Sequence, residues 1–436
     1  MALGGGTFIT QNKTLSGAYI NFVSAANATA SVGERGTAAM PLELDWGPDE
    51  TIFEVTNGDF QKDSRKIFGH DYTDDEMKGL RDLFRHANTL YAYKLTSGGV
   101  KASNDFATAK YCGTRGNDLK VVIQQNADEV SNFDVFLYLG TALVDNQTVA
   151  TAADLVDNDF VDWKDAAELA VTASSPLANG TNGTVDGNAH QTFIDKIESY
   201  PDINAVGVVA TDSTTLGLYV AFAERMRDEV GVKFQVVLYN KAGDYEGVVN
   251  VKNKVNDSGA SAASLVYWVT GAIAGCEVNA SNTNLKYDGE YDVDVDYTQK
   301  QLESAIANGE FALHRVGSDI RVLKDVNSLV TVTQDKGDIF KSNQTIRVID
   351  QIATDIASIF ATKYLGVVQN DADGRASLWS DIAYEHQQLR DMRAIEDFDA
   401  GEIVVTQGND KGSVVVTDVI TVVNAMDKLY MTVTVQ

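Results

Sequence analysis

The chain has 436 residues, 44% of them hydrophobic, and 62 acidic against 35 basic side chains leave a net charge of −27. That length and apolar content predict a substantial core shared between two or three domains and argue against global disorder. The acidic excess, with no run of Lys or Arg longer than two, argues against nucleic-acid binding and suits either solubility or a basic protein partner.

Residues 1–30 carry too little apolar surface to fold alone. Gly4, Gly5 and Gly6 precede short groups of strand formers, Phe8-Ile9, Ala18-Tyr19-Ile20 and Phe22-Val23, so this segment reads as an extended arm and linker. Met1 to Ser24 has no basic start and no continuous apolar run, and is not read as a signal peptide. Residues 31–97 read as strand, strand, helix, strand: Thr37 to Leu44, Thr51 to Val55, a helix entered through a Thr73–Glu76 capping box, and Leu90 to Leu95. Residues 98–185 hold short strands between Asn, Asp and Gly turns and read as a small all-β domain. From 186 to 335 the rhythm becomes αβαβ, with continuous apolar runs at Ala205–Ala210 and Phe234–Tyr239, a buried helix over Ser258–Ala274 and a Thr298–Gln301 capping box. Residues 336–427 predict a long helix capped by Ser342, a second helix from Arg375 to Ile395, and strands at Ile403–Gln407 and Val414–Val423. The last segment, 428–436, alternates Leu429, Met431, Val433 and Val435 with Tyr430, Thr432 and Thr434, the period of a strand. It can be an edge strand of the chain's own sheet or a strand given to a neighbouring subunit.

No catalytic motif survives inspection: there is no P-loop, no GxSxG and no HExxH, and His70, His86, His190, His314 and His386 are scattered. No metal site or cofactor is predicted. Asp292, Asp294, Asp296 and Glu303 have the spacing of a calcium loop, but Tyr297 stands where the turn needs glycine. Asp212 and Asp244 can be read as paired carboxylates at strand ends, but nothing in the sequence fixes their separation, and an Asp after a parallel strand is often only a helix-entry residue. Cys112 and Cys276 are too far apart in sequence, and in no CxxC spacing, to suggest zinc or a disulfide framework.

Taken in order, a series of short motifs resembles the contractile tail sheath proteins of Gram-positive phages and phage-tail-like bacteriocins. They are Gly17-Ala18-Tyr19-Ile20, Arg35-Gly36, Ala39-Met40-Pro41, Trp46-Gly47, Gly113-Thr114-Arg115-Gly116-Asn117-Asp118, Asp244-Tyr245-Glu246-Gly247, Val266 to Ala272 with Gly275-Cys276, Asn343-Gln344-Thr345-Ile346-Arg347, Gly374-Arg375, and Asn424 to Tyr430. Ser16 departs from the proline usual before the first motif. The resemblance implies a multidomain α/β fold: a discontinuous core, subtilisin-like in its middle part and α+β at its C-terminal end, an inserted β-sandwich, and extended terminal arms.

It further implies a structural subunit, not an enzyme, that polymerises with itself as stacked hexameric rings around a tail tube protein and contracts to drive the tube through a cell envelope. Baseplate and tail terminator proteins are the other expected partners, with no nucleic acid and no membrane insertion. Assembly is expected in the bacterial cytoplasm, followed by release as a tail or tail-like particle. The expected inter-subunit arms are Phe8, Ile9, Tyr19, Ile20 and Phe22 at one end and Leu429, Met431, Val433 and Val435 at the other; Val414, Val416 and Val419 form the acceptor strand, and Arg390 and Arg393 face the tube. The competing readings are an α/β hydrolase-like enzyme with an unrecognised site, and a surface-layer or adhesin protein.

Overall fold

In the computed structural model, residues 35–435 are described. They group into two compact units, one of residues 35–351 with 393–396 and 422–435, the other of Ile352–Met392 with Asp397–Thr421.

The larger unit opens with β1 (Thr37–Leu42), β2 (Ile52–Thr56), helix α1 (Asn57–Phe68), helix α2 (Lys78–Leu83) and β3 (Thr89–Lys94). Helix α1 replaces what the sequence pattern left as a connection. Its apolar residues are few, but Thr56 and Asp59 form a reciprocal capping box and Gly69, at φ 77°, ends it. Conversely, the Thr73–Glu76 box does not form. A 3-10 turn at Asp75–Met77 starts there instead, and the Asp74 carboxylate accepts from the Asp71 N–H.

Strands β4 (Lys101–Ser103), β5 (Ala107–Cys112), β6 (Leu119–Gln125), β7 (Phe133–Leu139), β8 (Ala142–Val149), β9 (Val161–Trp163) and β10 (Thr172–Pro176) follow. They pair in two antiparallel sheets, β10-β6-β7-β8 and β4-β5-β9, around one apolar cluster that includes Val121, Ile123, Val135, Leu137 and Val161. The alternation of buried and exposed residues along β6 and β7 is what two packed sheets with solvated outer faces require.

The α/β segment supplies α3 (Gly187–Ile197), β11 (Ala205–Val208), α4 (Ser213–Glu224), β12 (Gln235–Tyr239), β13 (Val248–Val251), α5 (Leu265–Gly275), α6 (Gln299–Ala307) and β14 (Glu310–Phe311), then a hairpin of β15 (Leu313–Val316) and β16 (Asp319–Val322). The Thr298–Gln301 box caps α6 as its sequence predicts. Helix α5 is shorter than the expected Ser258–Ala274 run, and β13 adds a strand that the apolar pattern had not separated from its surroundings.

These elements build one seven-stranded sheet in the order β14-β13-β12-β11-β1-β3-β2, parallel except for β2 against β3. Side chains of β1 alternate between its faces. Ala38, Met40 and Leu42 enter the cluster holding Phe60, Leu83, Trp268 and Ile273, while Ala39 enters the one holding Phe193, Tyr219 and Phe222. Helices cover both faces, as a parallel sheet demands.

Helix α7 (Asn343–Ile359) begins behind Ser342. In the smaller unit, α8 (Ala372–Asp391) precedes a hairpin of β17 (Val404–Gln407) and β18 (Val414–Thr417). Helix α8 starts three residues earlier and ends four residues earlier than expected. Strand β18 stops at Thr417 instead of Val423, because Asp418 turns inward to His386. No helix among the described residues is long and apolar enough to cross a membrane.

Candidate functional site

The most informative surface is the last segment of the larger unit. Its root is held at several points. The Gln344 side chain donates from Nε2 to the carbonyls of Asn279 (3.1 Å) and Val423 (3.2 Å) and accepts from the Ala425 N–H at 2.9 Å. The Thr345 hydroxyl donates to Asn424 Oδ1 at 3.3 Å, and Lys324 pairs with Asp427 at 2.8 Å. Two motifs separated by about eighty residues in sequence are therefore one joint.

Beyond Asp427 the character changes. Residues 428–435 pair with no strand among the described residues, and Leu429, Met431, Val433 and Val435 are 86%, 74%, 69% and 89% exposed. Single exposed apolar residues are ordinary, but four at strand spacing in one segment form a face that water disfavours. Phe8, Ile9, Tyr19, Ile20 and Phe22, the expected N-terminal arm, lie outside the described residues.

In the smaller unit, β17 and β18 form a two-stranded sheet with Val404, Val415 and Val416 exposed. Val414 and Val416 lie in β18, whereas Val419 lies beyond its end, so the expected acceptor strand is shorter than its apolar pattern. The strand's exit is set by an ionic cluster. His386, fully buried, lies 2.5 Å from Glu385 Oε2 through Nδ1 and 2.6 Å from Asp418 Oδ2 through Nε2. Burial pushes its pKa down, but the hydrogen bonds to Asp418 and Glu385 outweigh this and raise it to about 9. Arg390 lies on α8 and pairs loosely with Asp391 and Asp397; Arg393 lies past the helix end with φ 65°.

Several of the motifs within the described residues are packing joints. Gly275 lets α5 approach so closely that a Cβ would lie 1.9 Å from the His86 carbonyl oxygen, and Gly113 packs as tightly on that of Asp45. Arg35 donates to the carbonyls of Ile273 and Cys276 at the end of α5. Arg347 pairs with Asp325 at 2.6 Å, and Asn343 bridges Asp325, Val326 and Gln235.

A cleft of about 750 Å³ opens at the carboxyl ends of β1 and β11, where the sheet order reverses and α/β folds often take ligands. Its Asp186 and Asp212 are occupied as N-caps of α3 and α4, and its His190 is bonded to the Tyr219 hydroxyl at 2.8 Å. Asp244 receives the N–H groups of Val330 and Thr331. Among the described residues no histidine has a Ser, Thr or Cys hydrogen-bond partner, so no Ser–His or Cys–His pair is formed among them. The Asp292, Asp294, Asp296 and Glu303 series does not converge: Asp294 pairs with Lys254, and Glu303 binds Gln299 on α6.

Residues 35–95 match the tail sheath protein Gp18 domain III N-terminal region, 97–182 the phage tail sheath protein beta-sandwich domain, 183–328 the phage tail sheath protein central domain, and 335–436 the phage tail sheath C-terminal domain. The crystal structure of the sheath tail protein from Desulfitobacterium hafniense is 35% identical and covers 93% of this chain and 100% of its own, with a TM-score of 0.80.

The chain belongs to the phage tail sheath family.

This sheath subunit is also 31% identical, over 99% of both chains, to the phage-like element PBSX protein XkdK of Bacillus subtilis. At 13% identity and a TM-score of 0.56 it shares its fold with the helical sheath of the anti-feeding prophage in its contracted state, over 97% of this chain and 99% of that one. It is a subunit of a phage tail sheath. What sequence reasoning missed is the joint of Gln344 and Thr345 with residues 423–425. Both motifs were visible as motifs, but nothing in their composition says that they touch.

Proposed function

We propose that the subunit polymerises as stacked hexameric rings around a tail tube and that its terminal segments connect neighbouring copies through contraction. The observation that carries this is the contrast within the C-terminal segment, anchored at 423–427 and apolar yet uncovered by the described residues over 428–435. A strand of eight residues reaches about 27 Å, enough to lie along a neighbour's edge. Its unpaired N–H and C=O groups and its alternating Leu429, Met431, Val433 and Val435 would both be satisfied by adding to a neighbour's β17–β18 hairpin. The edge of β18 that does not face β17 has no strand partner among the described residues, and an edge of this kind invites pairing.

The further parts of this reading are the segments 31–97, 98–185, 186–335 and 336–427 as domains, a subtilisin-like middle part, the N-terminal arm of Phe8, Ile9, Tyr19, Ile20 and Phe22 as a second connection, a tube-facing surface at Arg390 and Arg393, and baseplate and tail terminator proteins at the ends of the sheath. Assembly takes place before the particle leaves the cell.

The decisive experiment compares the full chain with a version ending at Asp427, by circular dichroism and negative-stain microscopy. The shortened protein should be folded and monomeric under conditions where the full chain forms rings or tubes. Normal tubes from the shortened chain would defeat the strand-donation reading.

A further inference from the structure

We propose that His70, Asp74 and Glu76 form a binding site for a divalent transition-metal ion of the zinc class, at the root of the β-sandwich. Their ligand atoms lie within 4.8 Å of one another, the only such grouping of His, Cys, Asp and Glu among the described residues. The grouping is not merely a patch of surface acids, because its centre is a buried imidazole. His70 is 6% exposed, and its Nε2 lies 2.9 Å from Asp45 Oδ1. An ionised carboxylate only accepts, so Nε2 carries the hydrogen, and in the neutral imidazole Nδ1 presents its lone pair. The nearest carboxylate oxygen to that lone pair, Glu76 Oε2, is 3.8 Å away, too far for a hydrogen bond. A nitrogen without a hydrogen-bond partner thus points at two carboxylates, backed by a third that sets its tautomer. Outer-shell carboxylates play this part behind metal-bound histidines.

The surrounding charges leave the position open to a cation. Arg65 pairs with Asp71, and Arg81 is engaged by Glu290 and by the carbonyls of Tyr72 and Asp74. One oxygen of Asp74 is held by the Asp71 N–H, which orients the carboxylate without consuming its other oxygen. Glu76 is exposed and can rotate inward by the distance that bonds of about 2.0–2.2 Å to zinc require. One imidazole and two carboxylates favour zinc, nickel or copper over magnesium, and calcium prefers an all-oxygen shell. Water would complete the coordination.

The position gives such an ion a structural consequence. Arg115 Nε donates to the carbonyl of Gly69 at 2.8 Å, and the Arg115 N–H reaches the carbonyl of Asp45 at 3.4 Å. Residues 45, 69 and 70 are therefore where the sandwich's 113–118 motif rests on the sheet domain. An ion on His70, Asp74 and Glu76 would brace that contact from beneath.

The test uses tag-free full-length chain stripped with a chelator and titrated with Zn²⁺ or Co²⁺ alone, followed by calorimetry, Co²⁺ absorption and ¹⁵N histidine NMR. One equivalent should bind per chain, the His70 Nδ1 resonance should move, and Zn²⁺ should raise the thermal midpoint. Glu76→Gln and Asp74→Asn should each weaken binding at least tenfold. Asp45→Asn, which leaves all three ligands in place, should weaken it by about 10–100-fold. Glu76 is exposed, so its variant keeps the comparison sound even if a more buried variant misfolds. The proposal falls if wild type and Glu76→Gln bind alike, if the resonance that moves belongs to another histidine, or if no stoichiometric binding occurs.

Discussion

Replacing Gln344 by leucine should free the root of the C-terminal segment while leaving the rest of the subunit folded. Gln344 is almost wholly buried, and its amide makes three hydrogen bonds, to the carbonyls of Asn279 and Val423 and from the N–H of Ala425. Leucine is close in volume and adds no charge, so the packing term is small. Each lost bond is worth about 1 kcal/mol net, giving about 3 kcal/mol for the joint. The remaining contacts of the root are the Thr345–Asn424 bond, the Lys324–Asp427 pair and the pairing of Val422–Val423 with Ala394–Ile395. A loss of about 3 kcal/mol corresponds to roughly a hundredfold increase in local opening. Hydrogen exchange in a peptide covering 420–430 should accelerate by up to that factor, while peptides from the central sheet exchange as in wild type. Because the root sets where the apolar segment leaves the subunit, tube formation should drop in parallel. Unchanged exchange over 420–430 would refute the clamp, and uniformly faster exchange would show that Gln344 supports the whole core instead.

Three further outcomes are expected. The His386 pKa, raised to about 9 against an ordinary value near 6.5, contributes about 3 kcal/mol that is fully present below pH 6.5 and lost as pH rises through 9. Asp418, held below the usual carboxylate range although burial pushes it the other way, adds a loss as pH falls through its lowered value. Exchange protection of residues 414–418 should therefore fall between pH 6.5 and 9.5 in wild type and stay flat over that range in His386→Gln. Arg227→Met should cost about 3–5 kcal/mol in chemical denaturation, because it strands Asp350, which Arg227 grips with two 2.7 Å bonds in a buried site; adding Asp350→Leu should recover much of the loss, and a single-variant cost below about 1 kcal/mol would contradict the ion-pair argument. Reversing charge at Arg390 and Arg393 should leave stability within about 0.5 kcal/mol, since the pairs of Arg390 are exposed, yet abolish co-sedimentation with tail tubes; normal co-sedimentation would remove that surface from the tube contact.

Local chemistry was legible wherever a few neighbouring residues decide the outcome. The Thr298–Gln301 box caps its helix because both partners lie within one turn, and the apolar runs of β11 and β12 are buried on both faces as their composition requires. The ordered motifs pointed to the sheath family, and the alternation at 429–435 marked an apolar face. The same local rules failed at Thr73, because the turn that forms is a 3-10 turn with Asp74 at its N-cap, and at α1, whose three buried residues are too few to show a period. Only the tertiary structure decided that Gln344 and Ala425 meet, that Asp418 ends β18 by reaching a buried histidine, and that Asp45 stands behind His70. Each of these rests on a hydrogen bond between residues 25 to 81 positions apart. A hydrogen bond acts over about 3 Å, and only the folded chain brings such residues within that reach.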